Sequence, residues 1–447
     1  MLLYSFEPQF SLSFVIAPMT VMRLNPRKVL KEVGARKLVR MPTLLVARQR
    51  CGQVNGVLLE GASMLRVTMF AVILAAATPV GAAAPSYGPK VFFKDGASWS
   101  GWIEFKAYKA SNIFIPAKVN GRDVMVALYG GPTNLDKSFA ASVRLSEMPR
   151  GNQHAKEIGG VTVTLGNLTV SDLTAAAADI PPNFAKITGQ PVPLMLGEQV
   201  FGRMVVDIDN AHHRLAFRDL ADVSKPAHAV EVPLIEVDGD RVVPLSINGG
   251  PPVQFELELG NVSGPLLVIP SYAQAHQLLE GHPTSQRLSG KFIETVVTLD
   301  HLSFTGVKFA KVPIALVPDA ALPPASIAGG VGLPLLSHFH LIIDYSKNRL
   351  FAIPNAGVPK PPFIKDRLGL VAAREGDKLR VTFVAPASPA EAAGFKKDDM
   401  IAMLNGKPVA AEPDLSILSL RFADPETRFT FTMTDGQVRQ IKATDFF

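Results

Sequence analysis

The sequence predicts a mainly β protein with two similar β-barrel-like lobes followed by an α+β domain. Three observations predict this fold class. Segments of the first lobe recur in the second, and both contain short runs of Val, Ile, Leu, Phe and Thr separated by Asn-Gly, Gly-Gly and Pro, which is typical of strands and turns. After a Pro-rich stretch at 359–362 the pattern changes to strands mixed with helical spacing.

An internal repeat defines the two lobes. Val119-Asn120-Gly121 recurs as Ile247-Asn248-Gly249 at an offset of 128, and Asp209-x4-Arg214-Leu215 recurs as Asp344-x4-Arg349-Leu350 at an offset of 135. This slow drift indicates a duplicated domain with small loop insertions, since two long copies are too few for a solenoid. Asn-Gly between two strand-like runs also predicts a β-hairpin at the equivalent place in each copy.

The domain boundaries follow from the repeat and from the change in composition. Lobe one is predicted at 103–222 and lobe two at 228–357, and the last domain at 362–447. In the last domain we expect a short helix from Ser388 to Ala393, ended by a glycine, and a second helix within Glu412–Phe422.

The N-terminal region is predicted to be absent from the mature chain. Residues 64–84 contain Arg66, an apolar run from Val67 to Ala77 and a small-residue end, which is the pattern of a secretory signal peptide. The run is shorter than the roughly 20 residues of a membrane-spanning helix, so a permanent anchor is the weaker interpretation. We expect translation to begin at Met64 and residues 1–63 to be a misannotated extension; a genuine disordered or targeting extension is the alternative. The mature protein would be exported to the periplasm or medium.

Charge and cysteine content exclude several functional classes. Residues 1–84 contain 10 Lys or Arg and 3 Asp or Glu, so the remainder of the chain has 35 basic and 36 acidic residues. This balance gives no basic surface for nucleic acid. The only cysteine, Cys51, lies in the N-terminal region, so we expect no disulfide, thiol nucleophile or cysteine metal ligand in the mature protein.

The order of elements in each lobe resembles the retropepsin and pepsin superfamily of aspartic proteases. Each copy has strand, Asn-Gly, strand, a small-residue loop, and later an apolar-apolar-Gly turn and a strand ending in Asp-x4-Arg-Leu. The resemblance implies that each lobe gives one Asp, from an Asp-Thr-Gly loop, to a dyad across the lobe interface. In that dyad two carboxyls share one proton, one acting as base on water and the other donating to the substrate carbonyl. No cofactor is implied.

The sequence departs from this pattern at both dyad positions. Tyr129 stands at the Asp position of lobe one, followed by Gly130, and Glu258 stands at the Asp position of lobe two, followed by Leu259. A phenol with a pKa near 10 cannot be the carboxylate base, and a displaced acid loses the required geometry. We therefore expect most of the catalytic rate to be lost. The same loops are expected to contact a bound peptide through Gly131, Gly260 and Asn261.

Other acidic residues are better explained by structure than by catalysis. Asp136 is predicted to cap a helix or loop, and Asp123 to lie solvated beside a hairpin turn. Asp209 and Asp344 are predicted to be hairpin-turn residues. A metal site at the His212-His213 or His338-x-His340 pairs is a weak alternative, because no third ligand stands at a useful spacing and so no metal is expected.

The C-terminal segment resembles a PDZ domain. The run VAPASPAEAAGFKKDDMIAMLNGKPV is close to the PDZ segment of bacterial enzymes. The resemblance implies that backbone N–H groups of the Leu368-Gly369-Leu370 loop cradle a peptide's C-terminal carboxylate and that the following strand accepts the peptide by β-addition. Asp398 replaces the usual Gly and can adopt the left-handed backbone it needs. Use of this domain only for packing is the alternative. The groove is expected to be lined by Leu368, Leu370, Leu415 and Leu418.

Two functional hypotheses follow from these residues. The first is an exported pseudo-aspartic protease with a degraded dyad, which binds extended polypeptide between its lobes and in the PDZ groove. The second is an active aspartic-type endopeptidase that uses Glu258. In both, the expected partners are polypeptides or protein C-termini, with no nucleic acid and no stable membrane insertion of the mature chain.

Overall fold

The computed structural model describes residues 88–108, 112–149, 156–180, 183–221, 223–237, 240–260, 264–289, 292–317, 327–358, 363–412 and 420–447. The predicted extension at 1–63 and the signal peptide at 64–84 lie outside the described residues, as do Asn261, Leu415 and Leu418. Of the described residues, 51% lie in strands and 12% in helices, so this part of the chain is mainly β, as the sequence predicts. In the described part of the chain, no helix combines the length and the apolar character needed to cross a bilayer.

The described part of the first half contains twelve strands and three short helices. The strands are β1 Lys90–Phe93, β2 Ile103–Glu104, β3 Lys106–Tyr108, β4 Asn112–Val119, β5 Arg122–Leu128, β6 Asn134–Asp136, β7 Glu147–Pro149, β8 Lys156–Leu165, β9 Leu168–Ala178, β10 Leu194–Leu196, β11 Val205–Asp209 and β12 Arg214–Arg218. The helices are α1 Lys137–Ser142, α2 Asn183–Thr188 and α3 Glu198–Phe201, with a 3-10 turn at Lys94–Gly96.

The second half repeats this arrangement. Its strands are β13 Val230–Pro233, β14 Ile235–Val237, β15 Asp240–Ile247, β16 Val253–Leu257, β17 Leu266–Val268, β18 Thr284–Ser289, β19 Phe292–Phe304, β20 Val307–Leu316, β21 Gly329–Val331, β22 Phe339–Asp344 and β23 Arg349–Pro354. Its helices are α4 Pro270–Ala275 and α5 Leu333–Leu336, with a 3-10 turn at Tyr345–Lys347.

Each half closes a six-stranded mixed barrel. In the first, the order β4-β5-β10-β6-β9-β8 returns to β4, with β5 parallel to β10 and β6 parallel to β9. In the second, β15-β16-β21-β17-β20-β19 returns to β15, with the equivalent two pairs parallel. The shared strand order confirms two similar barrel-like lobes. One continuous apolar core fills both, because inward-facing Val, Ile, Leu and Phe of every barrel strand are buried.

A third sheet joins the two halves, in the order β13-β23-β22-β11-β12-β2. Its central strands are antiparallel, with Val206 opposite Ile343 and Ile208 opposite Leu341. At the repeat offset of 135, Val206 is equivalent to Leu341 and Ile208 to Ile343, so each pair maps onto the other and the sheet has a local two-fold axis between β11 and β22. The two barrels are therefore related by pseudo-two-fold symmetry.

The C-terminal region forms a separate sheet with its own core. Its elements are β24 Leu370–Glu375, β25 Lys378–Val384, β26 Met400–Leu404, β27 Lys407–Pro408, β28 Arg428–Met433, β29 Val438–Lys442 and α6 Pro389–Ala392, with a 3-10 turn at Val409–Ala411. The order is β24-β25-β26-β28-β29, so β24 lies at one edge. The region contacts the second barrel, where Ser285 Oγ donates to the Pro386 carbonyl at 2.5 Å.

Local sequence signals form the predicted turns and caps. Asn120-Gly121, Asn248-Gly249 and Asn405-Gly406 all have positive φ at both residues, as a type I′ turn requires. Asp136 caps α1, because its carboxylate accepts the Phe139 N–H at 2.9 Å. Ser388 caps α6, and Asp398 adopts φ 71°, the left-handed conformation predicted for it.

The repeated Asp-x4-Arg motif is a cross-strand ion pair. Asp209 lies opposite Arg214 and Asp344 opposite Arg349, and the Nε to Oδ2 distances are 2.9 Å and 3.1 Å. Each Asp also accepts a turn N–H, from His212 and Lys347 respectively. Both are therefore hairpin-turn residues, as predicted, and both are buried.

We expect Asp344→Ala to destabilise the protein by about 2–4 kcal/mol, because it leaves the Lys347 N–H and the Arg349 guanidinium without their carboxylate. Urea unfolding would measure the change. The matched control is Asp179→Ala, which removes an exposed ion pair to Lys137 and should cost less than about 1 kcal/mol. Equal losses in the two variants would contradict this account of the motif.

Candidate functional site

Two equivalent loops meet beside the pseudo-two-fold axis. The first follows β5, and its Tyr129 N–H donates to the Leu196 carbonyl of β10 at 2.9 Å. The second follows β16, and its Glu258 N–H donates to the Val331 carbonyl of β21 at 3.0 Å. In each barrel, the N–H of the first loop residue donates to the carbonyl of the last residue of the neighbouring parallel strand. Tyr129 and Glu258 therefore occupy equivalent positions in the two barrels.

Glycines allow the backbones of these loops to approach closely. A Cβ at Gly260 would lie 2.6 Å from the Leu128 carbonyl oxygen of the opposite loop. A Cβ at Gly130 would lie 3.1 Å from the Leu257 carbonyl oxygen and 3.4 Å from Glu258 Oε2. These contacts cross from one barrel to the other in both directions. The loops are thus in direct contact, with the Glu258 carboxyl beside Gly130.

A third backbone contact holds the first loop and positions another acid. The Glu198 N–H, at the start of α3, donates to the Gly131 carbonyl at 3.1 Å. A Cβ at Gly197 would lie 2.0 Å from the same oxygen, so only glycine fits there. The Tyr129 ring folds back over Gly131, where an added Cβ would lie 2.9 Å from Cε1. Glu198 is therefore fixed next to the Tyr129 loop.

Glu258 has a carboxyl neighbour two residues earlier in the chain. Glu256 lies in β16 and Glu258 directly follows its last residue, Leu257, so the strand alternation directs both side chains to the same side. The interaction between the two carboxyls favours the protonated form of Glu258 and the ionised form of Glu256. Burial raises the pKa of Glu258 well above its usual range, and the negative charges of Glu256 and Asp240 raise it further. Burial likewise raises the pKa of Glu256 to about 7, with Asp240 and Glu198 adding to the shift.

The acids around this pair come from both barrels. Burial raises the pKa of Glu198 to about 7, and the charge of Asp240 adds to this while Arg241 opposes it. Arg241 is itself paired with Glu236 at 2.8 Å and lies over the Tyr345 ring, 5.9 Å from its centroid. Four acids thus share one weakly solvated region, and like charges so close favour retention of protons near neutral pH.

Tyr129 is a neutral phenol in this setting. It is buried, and burial raises its pKa far above 10, with the charge of Glu258 adding to the shift. A phenol that keeps its proton can donate a hydrogen bond but cannot act as a base. The position equivalent to Glu258 therefore supplies no second carboxylate across the axis.

The structure brings some predicted residues together and places others elsewhere. Tyr129, Glu258, Gly131 and Gly260 all belong to the facing loops. The predicted peptide-binding loop of the C-terminal region, Leu368-Gly369-Leu370, is buried, and both leucines belong to that region's core. Asn261, Leu415 and Leu418 lie outside the described residues, so their roles stay predictions.

Sequence reasoning missed three acids of this site. Glu256, Glu198 and Asp240 come from three separate segments, and only the closed barrels bring them together. The sequence carried a signal for one of them, because Glu256 precedes Glu258 by two residues in a strand-like run.

Two of the predicted histidines, His340 and His212, are paired with carboxylates of the sheet that joins the two halves. His340 Nε2 lies 2.6 Å from Asp207 Oδ1, and His212 Nδ1 lies 2.8 Å from Asp209 Oδ2. Within the described ranges, no three His, Cys, Asp or Glu side chains are grouped as metal ligands.

Comparison with known proteins adds no family assignment. No protein-family model matches the chain, and a search of curated proteins finds no match. The coarse architecture, mainly β with two closed mixed barrels, is compatible with duplicated pepsin-like lobes.

We expect Gly260→Ala to destabilise the protein by about 1–3 kcal/mol, because the new methyl group collides with the Leu128 carbonyl and pushes the loops apart. Thermal and urea unfolding would measure this. The control is Gly202→Ala, where the backbone is helical and the nearest atom is 3.5 Å from the added Cβ. That variant should be neutral or slightly stabilising. A neutral Gly260→Ala would show that the loops do not touch.

The carboxyl pair should make stability depend on pH in a defined direction. Glu256 has a usual pKa of 4.5 and a folded pKa of about 7, so between these values the folded state binds more protons than the unfolded state. Stability is therefore highest at the acidic side of this window and falls as pH rises through it.

Between pH 4.5 and 8, the free energy of unfolding should decrease by less in Glu256→Gln than in the parent, and we expect the difference to be on the order of 1–3 kcal/mol. Urea unfolding at a series of pH values would measure it. The exposed Glu104→Gln is the matched control and should leave the profile unchanged. A Glu256→Gln profile that coincides with the parent profile would contradict the shared-proton arrangement.

Proposed function

We propose that the protein is an exported pseudo-aspartic protease that binds extended polypeptide without cleaving it. The observation that carries this proposal is the pair at the dyad positions, where a neutral Tyr129 faces a single carboxyl, Glu258. Aspartic-protease chemistry needs one proton shared between two carboxyls that hold a water between them. The signal-peptide pattern at 64–84 supports export.

Binding of polypeptide does not need the lost carboxyl. Extended segments are recognised by main-chain hydrogen bonds to a strand edge, with side-chain pockets giving specificity. In the described residues of the facing loops, the two backbones are in close contact at Gly130 and Gly260. This framework supports binding between the lobes while the chemistry is absent.

We further propose that the C-terminal region is a PDZ-like peptide-binding domain. Its support is the sequence resemblance together with the edge position of β24, the strand that would accept the peptide. The Ser388 cap, the Asn405-Gly406 turn and the left-handed Asp398 all follow the family pattern.

The Glu256–Glu258 pair favours one alternative, an acid-dependent endopeptidase. Two coupled carboxyls that share a proton could divide the roles of base and acid within one lobe. Glu256 would accept a proton from the attacking water while Glu258 donates its proton to the peptide carbonyl oxygen, which gives a neutral tetrahedral intermediate. We rank this second, because both carboxyls belong to one barrel, in β16 and directly after it, instead of facing each other across the axis.

We expect the chain from Pro85 onward to bind an unfolded protein substrate and to leave it intact from pH 3 to 7. Mass spectrometry of the substrate would detect cleavage, and fluorescence anisotropy would measure binding. Glu258→Gln should keep affinity within about twofold, because main-chain contacts carry the binding.

Cleavage that disappears in both Glu256→Gln and Glu258→Gln would establish the endopeptidase and overturn the leading proposal. Glu147→Gln, a distant glutamate paired with Lys156, is the control for nonspecific effects of substitution. Absence of both cleavage and binding would refute both functions.

A further inference from the structure

The loop before β24 already holds a carboxylate. The N–H groups of Leu368 and Gly369 donate to the same oxygen, Oδ1 of Asp366, at 3.0 Å and 2.8 Å. These are two of the backbone donors that the PDZ resemblance assigns to a peptide's C-terminal carboxylate. The chain's own Asp366 side chain therefore occupies the place of that ligand group.

Asp366 is held firmly in this position. Its other oxygen, Oδ2, accepts from Arg421 Nε at 2.7 Å, and both side chains are at most 5% exposed. Both carboxylate oxygens of Asp366 therefore accept hydrogen bonds, Oδ1 from two backbone N–H groups and Oδ2 from the guanidinium. Displacing this carboxylate would break the buried ion pair with Arg421, which is unfavourable.

Two carbonyls of the loop are also in use. The Gly369 carbonyl accepts from the Ala385 N–H at 2.8 Å, and the Leu368 carbonyl accepts from the Ala390 N–H at 3.0 Å. Gly369 has φ 67°, and a Cβ there would lie 2.2 Å from the Ser388 Cβ. The loop is thus fixed against the start of α6, and an incoming carboxylate would find the Leu368 and Gly369 N–H groups taken and a like charge in place.

The strand that follows the loop offers a different mode of binding. β24 pairs with β25 along one side, and in the described part of the chain no strand pairs with its other side. The last three residues of β24, Ala373 to Glu375, are exposed, whereas the first three, Leu370 to Ala372, are buried, so the accessible edge is the end of the strand away from the loop. Strand addition uses the main-chain groups of such an edge and requires nothing from the peptide's terminus.

Asp366 occupies the Leu368 and Gly369 N–H groups, while the end of β24 is exposed at the edge of its sheet. We therefore propose that β24 binds internal segments of extended polypeptide and does not recognise a free C-terminal carboxylate. This inference rests on the proposed PDZ-like function and specifies its ligand. The partner is a stretch of unfolded chain with backbone groups available for pairing, and its terminal charge plays no part in the affinity.

The test compares one β-prone decapeptide as free acid and as C-terminal amide, using fluorescence anisotropy with the chain from Pro85 onward. Hydrogen–deuterium exchange at residues 370–375 locates the bound peptide on β24. We expect the two forms to bind within twofold of each other and to protect this strand equally.

Two variants of Asp366 sharpen the comparison. Asp366→Ala frees the Leu368 and Gly369 N–H groups, so it should bind the free acid at least tenfold more tightly than the amide. Asp366→Asn keeps an oxygen acceptor for both donors and should retain the parent's equal binding. Circular dichroism checks that each variant is folded, and a backbone-cyclised peptide, which has no termini, should bind the parent as well as the amide does.

The outcomes separate this inference from the proposed function. Tenfold or greater preference of the parent for the free acid, with protection of β24, would overturn the inference and leave peptide binding intact. Binding of neither form, or binding without protection of β24, would overturn the proposed PDZ-like function and the inference with it.

Discussion

The antiparallel pairing of β11 with β22 is the constraint on which the rest of the structure depends. Each half contributes one strand, and the register of Val206 with Ile343 and Ile208 with Leu341 makes the pairing symmetric. That register sets the relation between the barrels, and with it the meeting of the loops at Tyr129 and Glu258. Glycine at the closest points lets the two backbones touch. The sheet that joins the two halves therefore determines how the loops of the candidate site meet, although neither loop belongs to that sheet.

The two barrels share one strand order, but the side chains at their equivalent loop positions differ in chemistry. The carboxyl pair of Glu256 and Glu258 belongs to the second barrel, while the equivalent loop of the first supplies the neutral phenol of Tyr129. The interacting carboxyls thus belong to one barrel instead of facing each other across the axis. The backbones of the two loops are complementary while their side chains differ, and on this ground we propose binding in preference to hydrolysis. In the proposed PDZ-like domain, Asp366 accepts from the two N–H groups that a ligand carboxylate would use.

Local features of this chain were predictable because their causes are local. Asn-Gly turns, the Asp136 cap and the left-handed Asp398 depend on a residue and its near neighbours, and a repeat predicts two similar lobes whatever their packing. The acid cluster was not predictable as a whole, because Glu198 and Asp240 reach Glu258 only through closure of both barrels. The Asp366 bonds span two and three residues, so an aspartate just before Leu-Gly-Leu was a usable signal.

The most direct test of the central claim, that the facing loops bind polypeptide without cleaving it, is a single hydrogen–deuterium exchange experiment on the chain from Pro85 onward with an unfolded protein. Protection would be read at residues 128–131 and 257–260 while the intact mass of the substrate is followed in the same sample. The account predicts protection of both loops and a substrate of unchanged mass. Unprotected loops, or substrate fragments appearing alongside protection, would contradict it.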